Sequence, residues 1–215
     1  MQFLVVANGE RPSRGLFTML HQYCDSMIGA DGGGHTALAY GYRPDAIVGD
    51  LDSFPETGKL TCEIIHNPDQ ETNDLEKALD YALTHGATRV DVIGATGLRT
   101  DQTLKNLSVL QQFSPRFEHL AFWDDQLYMR IVPKSFSIEL PPGNLVSLFP
   151  MSGKVKGIKT SGLRYPLNNE TLRNGYRDGS SNVVIDGSVT ITYQTGALLF
   201  MTATGEHLVK TKKDS

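Results

Sequence analysis

The feature that most constrains this chain is a change of rhythm near residue 125. Before it, short apolar runs recur: FLVVA at 3–7, SMIGA at 26–30, AIVG at 46–49, CEIIH at 62–66, RVDVIGA at 89–95 and HLAFW at 119–123. Stretches with helical period separate them. In residues 73–85, Leu75, Ala78, Leu79, Ala82 and Leu83 recur at steps of three and four, which makes one apolar stripe. Asn73 and Glu76 have the spacing of a capping box, and Gly86 supplies a stop. Residues 100–113 predict a second helix with Leu104, Leu107 and Leu110 on one face. Strand and helix in alternation predict a parallel sheet with helices on both sides. After residue 125 the segments QLYMRIV, SFSIEL, LVSLFP, SVTITY and ALLFMTA alternate and are rich in β-branched or aromatic residues, with turns at PPGN, MSGK and DGS. That texture predicts an antiparallel β-sandwich.

The expected fold is therefore an α/β, Rossmann-like parallel-sheet domain over 1–125, followed by a C-terminal antiparallel β-sandwich domain over 126–215. A net charge of −4 argues against a broad nucleic-acid surface. No apolar run approaches a membrane span. MQFLVVANGE reads as a first strand and not as a signal peptide, so a cytoplasmic location is expected. Cys24 and Cys62 are far apart and read as free, small core residues, Trp123 as a core anchor, and KTKKDS as a solvated end.

In open α/β sheets, ligands gather outside the carboxyl ends of the strands. Here each of several strand ends delivers acids to that edge. SMIGA is followed by Asp31, Gly32, Gly33 and Gly34; AIVG by Asp50 and Asp52; CEIIH by Asp69, Gln70, Glu71, Asn73 and Asp74; RVDVIGA by Arg99 and Asp101. Asn73, Asp74 and Asp101 each also suit a helix cap, and Asp69 after Pro68 suits a turn. Asp50 and Asp52 are harder to explain that way, because a cap needs one acid. Like charges so close repel, and a cation resolves the conflict. Carboxylates are hard ligands that suit Mg2+ or Ca2+, and Mg2+ characteristically adds substrate phosphates to one or two carboxylates. The glycines before a helix start and the fork of Arg99 suit phosphate oxygens. Metal, phosphate and glycine turn together point to a nucleoside triphosphate with Mg2+. GATG lacks the lysine and Ser/Thr of a Walker loop.

In order along the chain, ADGGG (30–34), GDLDS (49–53), PDQETNDLEKAL (68–79), GATGLRTDQTLKNL (94–107) and TSGLRYPLNNETLRNG with GSSN (160–182) resemble the motifs of the thiamine pyrophosphokinase family. Gly34, His35, Asn73 and Ala95 depart from the family's usual residues. The resemblance implies an α/β domain followed by a β-sandwich, acting as a homodimer. It implies transfer of the pyrophosphoryl group of ATP to the hydroxyethyl oxygen of thiamine, with release of AMP. It assigns Mg2+ to Asp50, Asp52 and Asp74 with Asp31 nearby. It assigns the nucleotide to Gly32, Gly33, Asn73, Arg99 and Asp101, and thiamine to Gln70, Ser181 and Asn182. Catalysis would rest on Asp52, Asp74 and Arg99, with either Asp52 or Asp74 orienting the alcohol. Three other readings compete: a D-x-D glycosyltransferase, which leaves PDQETND, RTDQ and GSSN without a role; a nucleotide or thiamine sensor without turnover, which could have lost the acids and Arg99; and a stable α/β plus β protein with acid caps, which does not explain why acids gather after four strands.

Overall fold

The computed structural model describes residues 1–53 and 62–210; the expected solvated tail lies, from residue 211 on, outside them. The chain divides into two compact units, Met1–Asp125 and Gln126–Ser215.

The first unit runs β1 (Gln2–Val6), α1 (Arg14–His21), β2 (Ser26–Ala30), α2 (Gly33–Ala39), β3 (Ala46–Gly49), β4 (Glu63–His66), α3 (Asp74–Thr84), β5 (Arg89–Ile93), α4 (Thr100–Phe113) and β6 (His119–Trp123). Its strands pair in parallel in the order β6-β5-β1-β2-β3-β4. The central strands are buried along nearly their whole length, which is why they read as unbroken apolar runs. At the edge, β4 leaves Ile64 exposed. The strand order reverses between β1 and β5, so their carboxyl ends open a crevice at the switch point. The two loops there are laced together: Gly9 N donates to Gly94 O at 2.7 Å and Glu10 N to Thr96 O at 2.8 Å.

The helices form where their caps place them. Ser13 Oγ accepts from Leu16 N at 3.2 Å and starts α1, which buries Leu16, Phe17 and Leu20. The capping box of α3 closes both ways: Glu76 N donates to Asn73 Oδ1, and Asn73 N to Glu76 Oε2, each at 2.9 Å. Its stripe of Leu75, Ala78, Leu79 and Ala82 is buried. In α4 the buried face is rotated from the expected one. Asn106, Val109, Leu110 and Phe113 face inward, whereas Leu104 is exposed and Leu107 half-buried. The cause is polar: Asn106 Nδ2 donates to Ala95 O at 2.8 Å, which fixes the helix by a residue that an apolar count ignores.

Trp123 is buried, and its indole Nε1 donates to Asp91 Oδ1 at 2.7 Å. Asp91, itself buried, also accepts from Gln2 Nε2 at 2.9 Å and faces His119 Nε2 at 3.3 Å. Cys24 and Cys62 are free and half-buried, not core residues. Burial pushes the Cys24 thiol up to about 11, with nearby Asp45 adding to the shift.

The second unit holds β7 (Leu127–Val132), β8 (Ser135–Glu139), β9 (Leu145–Pro150), β10 (Lys154–Ser161), β11 (Asn168–Arg173), β12 (Gly179–Val183), β13 (Ser188–Thr192), β14 (Leu198–Ala203) and a short α5 (His207–Lys210). The strands make two antiparallel sheets, β12-β9-β14-β7 and β11-β10-β13-β8. Phe136 of β8 meets Phe200 of β14 edge-on at 5.4 Å between ring centres, across a core that includes Val146, Leu148, Val155 and Ile191. Apolar alternation missed β10, β11 and β12. Gly157, at φ 70°, lies within a register shift that breaks the period of β10, and β12 is polar through GSSN. Among the described residues no helix is long and apolar enough to cross a membrane.

The buried Asp91 cluster gives a direct test of the first unit. Asp91→Ala leaves the indole N–H without this acceptor, and it should lower unfolding free energy by at least about 2 kcal/mol. Asp91→Asn, which keeps one carbonyl oxygen, should lose less. Urea unfolding followed by Trp123 fluorescence measures both.

Candidate active site

Three backbone segments deliver the acids. The left-handed backbone of Asp31 (φ 43°) follows β2, Asp50 follows β3, and Asp74 opens α3. Their carboxylates each offer an oxygen within 4.8 Å of the others. That proximity needs small neighbours. A Cβ on Gly49 would lie 2.8 Å from Asp31 Cβ and 3.0 Å from Asp74 Oδ1. A Cβ on Gly33 would lie 1.8 Å from Val6 O. Gly33 therefore serves close approach of α2 to β1, Gly32 leaves room for the side chain of Asn8, and the left-handed residue of the turn is Asp31.

The trio is held by its own backbone. Asp50 N donates to Asp74 Oδ1 at 3.3 Å, and Asp52 N to Asp50 Oδ1 at 3.2 Å. The bond from Asp52 N–H is the main reason the Asp50 carboxyl is held below the usual carboxylate range, with the Gln70 amide assisting. Asp31 is the opposite case. It is only 2% exposed, and burial pushes its carboxyl up, with the charges of Asp74 and Asp52 adding to the shift. Its Oδ1 is buried without a hydrogen-bond partner in the structure. A buried carboxylate oxygen with no donor, facing two further carboxylates, fits a hard divalent cation.

The trio lies on the wall of a cavity of about 380 Å³, which Asp52, Asn73, Leu98, Arg99 and Asn106 also line. Asp52 stands outside the trio; it is exposed and accepts from Ser53 Oγ at 2.9 Å. Leu51, between the two acids, has φ 64°, and Leu98, beside Arg99, has φ 55°. Left-handed leucines carry a cost of about 1–2 kcal/mol each, and such strain gathers at sites where orientation matters. Arg99 forms a fork on Asp101, with Nε to Oδ1 at 3.1 Å and Nη2 to Oδ2 at 2.5 Å. The pairing raises the guanidinium and lowers the carboxyl. Both groups are exposed, so a phosphate can compete for the fork.

The remaining expected residues fall out as follows. Asn73 caps α3, and its Nδ2 donates to Asn106 Oδ1 at 2.9 Å. Gln70 is exposed, with Nε2 3.5 Å from Asp50 Oδ2. Asp69 makes the turn expected of it, accepting from Glu71 N and Thr72 Oγ1. In the second unit, Ser181 is exposed on β12 with φ 58°. Asn182 is buried, accepts from Tyr165 N at 3.0 Å and donates to Tyr165 O at 2.7 Å. Its side chain therefore fixes the backbone of Tyr165. Sequence reasoning passed over Asn106, which joins α4, the α3 cap and the β5 loop, and Lys77, whose Nζ lies 3.2 Å from Asp74 Oδ1. Both stand inside the quoted motifs, but a buried amide or ammonium has no signature in apolar periodicity.

The raised Asp31 carboxyl gives a signed prediction. A folded-state pKa above the unfolded value means that folding stability falls as pH rises through that interval. In metal-free buffer at neutral pH, Asp31→Asn should therefore melt above the wild type. The gap should close below about pH 4, where the unfolded-state acid is also protonated. Mg2+ should raise the wild-type Tm and do less for the variant. Thermal melting with and without Mg2+ checks both arms.

Residues 17–122 match the family described as thiamin pyrophosphokinase, catalytic domain, and residues 131–198 match thiamin pyrophosphokinase, vitamin B1 binding domain. The chain is 28% identical over 211 residues to thiamine pyrophosphokinase of Bacillus subtilis (strain 168), covering 93% of this chain and 97% of that one. It is 32% identical over 168 residues to thiamine pyrophosphokinase 1 of Oryza sativa subsp. japonica, covering 70% of this chain and 63% of that one. The crystal structure of thiamine pyrophosphokinase from Bacillus subtilis superposes with a TM-score of 0.82 at 26% identity, covering 95% of this chain and 99% of that one. With the α/β unit and the antiparallel β unit both matched in order, the chain belongs to the thiamine pyrophosphokinase family.

Proposed function

We propose that this protein is a thiamine pyrophosphokinase that uses ATP as donor and Mg2+ as cofactor. The observation that carries the reading is the trio Asp31, Asp50 and Asp74, gathered within 4.8 Å on the wall of a cavity that also contains Arg99. Family membership supports the reaction class. Mg2+ bound there would neutralise phosphate charge as the transfer proceeds. The thiamine hydroxyl oxygen attacks the β-phosphorus, the bond from the β-phosphorus to the bridging oxygen breaks, and AMP leaves with that oxygen. The protein's share is positioning and charge. Arg99 would move its fork from Asp101 to the phosphate oxygens. Asp52, which lines the cavity outside the trio, is the acid left to orient the alcohol and take its proton. Asn73, Asp101, Gly32 and Gly33 would shape the nucleotide site.

Gln70 would meet thiamine, as would Ser181, and Asn182 would hold the Tyr165 backbone. Ser181 and Asn182 lie inside the stretch matched to the vitamin B1 binding domain, which supports that placement. In a homodimer they would reach the partner's thiamine. The acidic mouth suits a cationic substrate such as thiamine, drawing it in by its field.

The test is a product assay with purified protein, ATP, Mg2+ and thiamine, with the nucleotides resolved afterwards. AMP should accumulate in step with thiamine diphosphate and stop when a chelator is added. ADP as the nucleotide product would overturn pyrophosphoryl transfer, and thiamine binding without turnover would favour a sensor. Asp74→Asn should lower kcat by at least about a hundredfold with the fold intact by circular dichroism, equivalent to roughly 3 kcal/mol of transition-state stabilisation. Asp52→Asn should lower kcat while leaving the Mg2+-induced Tm shift in place, because Asp52 lies outside the trio.

A further inference from the structure

Lys77 is out of place by the ordinary rules of helix stability. It lies in the first turns of α3, at the end of the dipole that disfavours a cation. Its side chain is only 2% exposed, so the ammonium is also stripped of water. Its helix gains nothing from either. What faces it is Asp74, one turn back on the same side of α3, with Nζ 3.2 Å from Oδ1. The same Oδ1 accepts from Asp50 N–H at 3.3 Å.

The consequence lies in which oxygens are left over. Asp74 Oδ1 has two donors, so Oδ2 is its open oxygen. Asp50 Oδ1 has the Asp52 N–H at 3.2 Å, and its Oδ2 has only the Gln70 amide at 3.5 Å. Asp31 brings the unpartnered Oδ1. Each acid thus presents one oxygen. Mg2+ takes single oxygens in a tight six-fold shell, whereas Ca2+ takes more ligands and often both oxygens of a carboxylate.

We propose that Lys77 is a positioning residue that occupies Asp74 Oδ1, keeps this carboxylate single-toothed, and so biases the acidic trio toward Mg2+ and against Ca2+. The inference rests on the metal assignment proposed above and deepens it. Lys77 acts through Asp74 and touches neither substrate nor ion. Removing it also removes a positive charge, which strengthens binding of both ions alike, so the ratio of the two affinities is the readout.

The experiment titrates full-length wild type and Lys77→Met with MgCl2 and, separately, CaCl2, without substrates, following the thermal midpoint. The ratio of Ca2+ to Mg2+ affinity should rise about tenfold or more in Lys77→Met, in line with the effect of losing a partner behind a metal ligand. An unchanged ratio in a folded variant overturns the role of Lys77 and leaves the metal assignment standing. No Mg2+ response in the wild type overturns the metal assignment itself, and this inference with it. If Lys77→Met does not fold, a crystal structure of the wild type grown with Mg2+ decides. Asp74 bound through Oδ2 alone, with Lys77 on Oδ1, supports the proposal; Asp74 bound through both oxygens ends it.

Discussion

Three like-charged side chains are held within 4.8 Å of one another, and the first unit is built around that constraint. Left to themselves, the carboxylates of Asp31, Asp50 and Asp74 would swing apart into water. The parallel register of β2 and β3 sets the spacing of Asp31 and Asp50, which leave the sheet at the same carboxyl edge, and Asp74 joins them from the start of α3. Backbone N–H groups then fix the orientation of Asp50 and Asp74, and burial fixes Asp31. The glycines at 33 and 49 matter for the same reason. Any side chain there would push the helix or the acids out of range.

The start of α3 is where the site and the scaffold become one object. Asn73 and Glu76 satisfy the first orphan donors of the helix, and the amide of Asn73 reaches Asn106 on α4. Asn106 reaches the loop after β5 through Ala95 O. Asp74, Asn73 and the loop carrying Arg99 are therefore positioned by one chain of hydrogen bonds. Such a chain gives the candidate site a fixed frame, and fixed dipoles need no rearrangement when charge develops.

The second unit follows a different logic. Its core is ordinary, with two antiparallel sheets closing on Phe136, Phe200 and their aliphatic neighbours. The distinctive feature is polar: Asn182 is buried in order to hold the backbone of Tyr165, which leaves that ring exposed. The amide is hydrogen-bonded through both its oxygen and its nitrogen, so its burial costs little and holds in place the backbone that carries an exposed aromatic.

The sequence by itself determined the broad plan. Unbroken apolar runs required strands buried on both faces, and the later alternation required half-exposed antiparallel strands, because side-chain period follows backbone geometry. It also determined that acids follow successive strands, and the motif order made the family resemblance legible. The α3 capping box was legible because it is local, with both partners within one turn. Tertiary structure alone decided the rest. Which acids meet could not be read from spacing: Asp50 and Asp52 are neighbours in sequence, yet Asp31 and Asp74 join Asp50 while Asp52 stands apart. The buried face of α4 was turned by one amide bond to a distant carbonyl, against the leucine count. β10 and β12 were hidden by a register shift and by polar residues. In each case the deciding partner lies across a turn of backbone or on another element, and linear spacing carries no record of that distance.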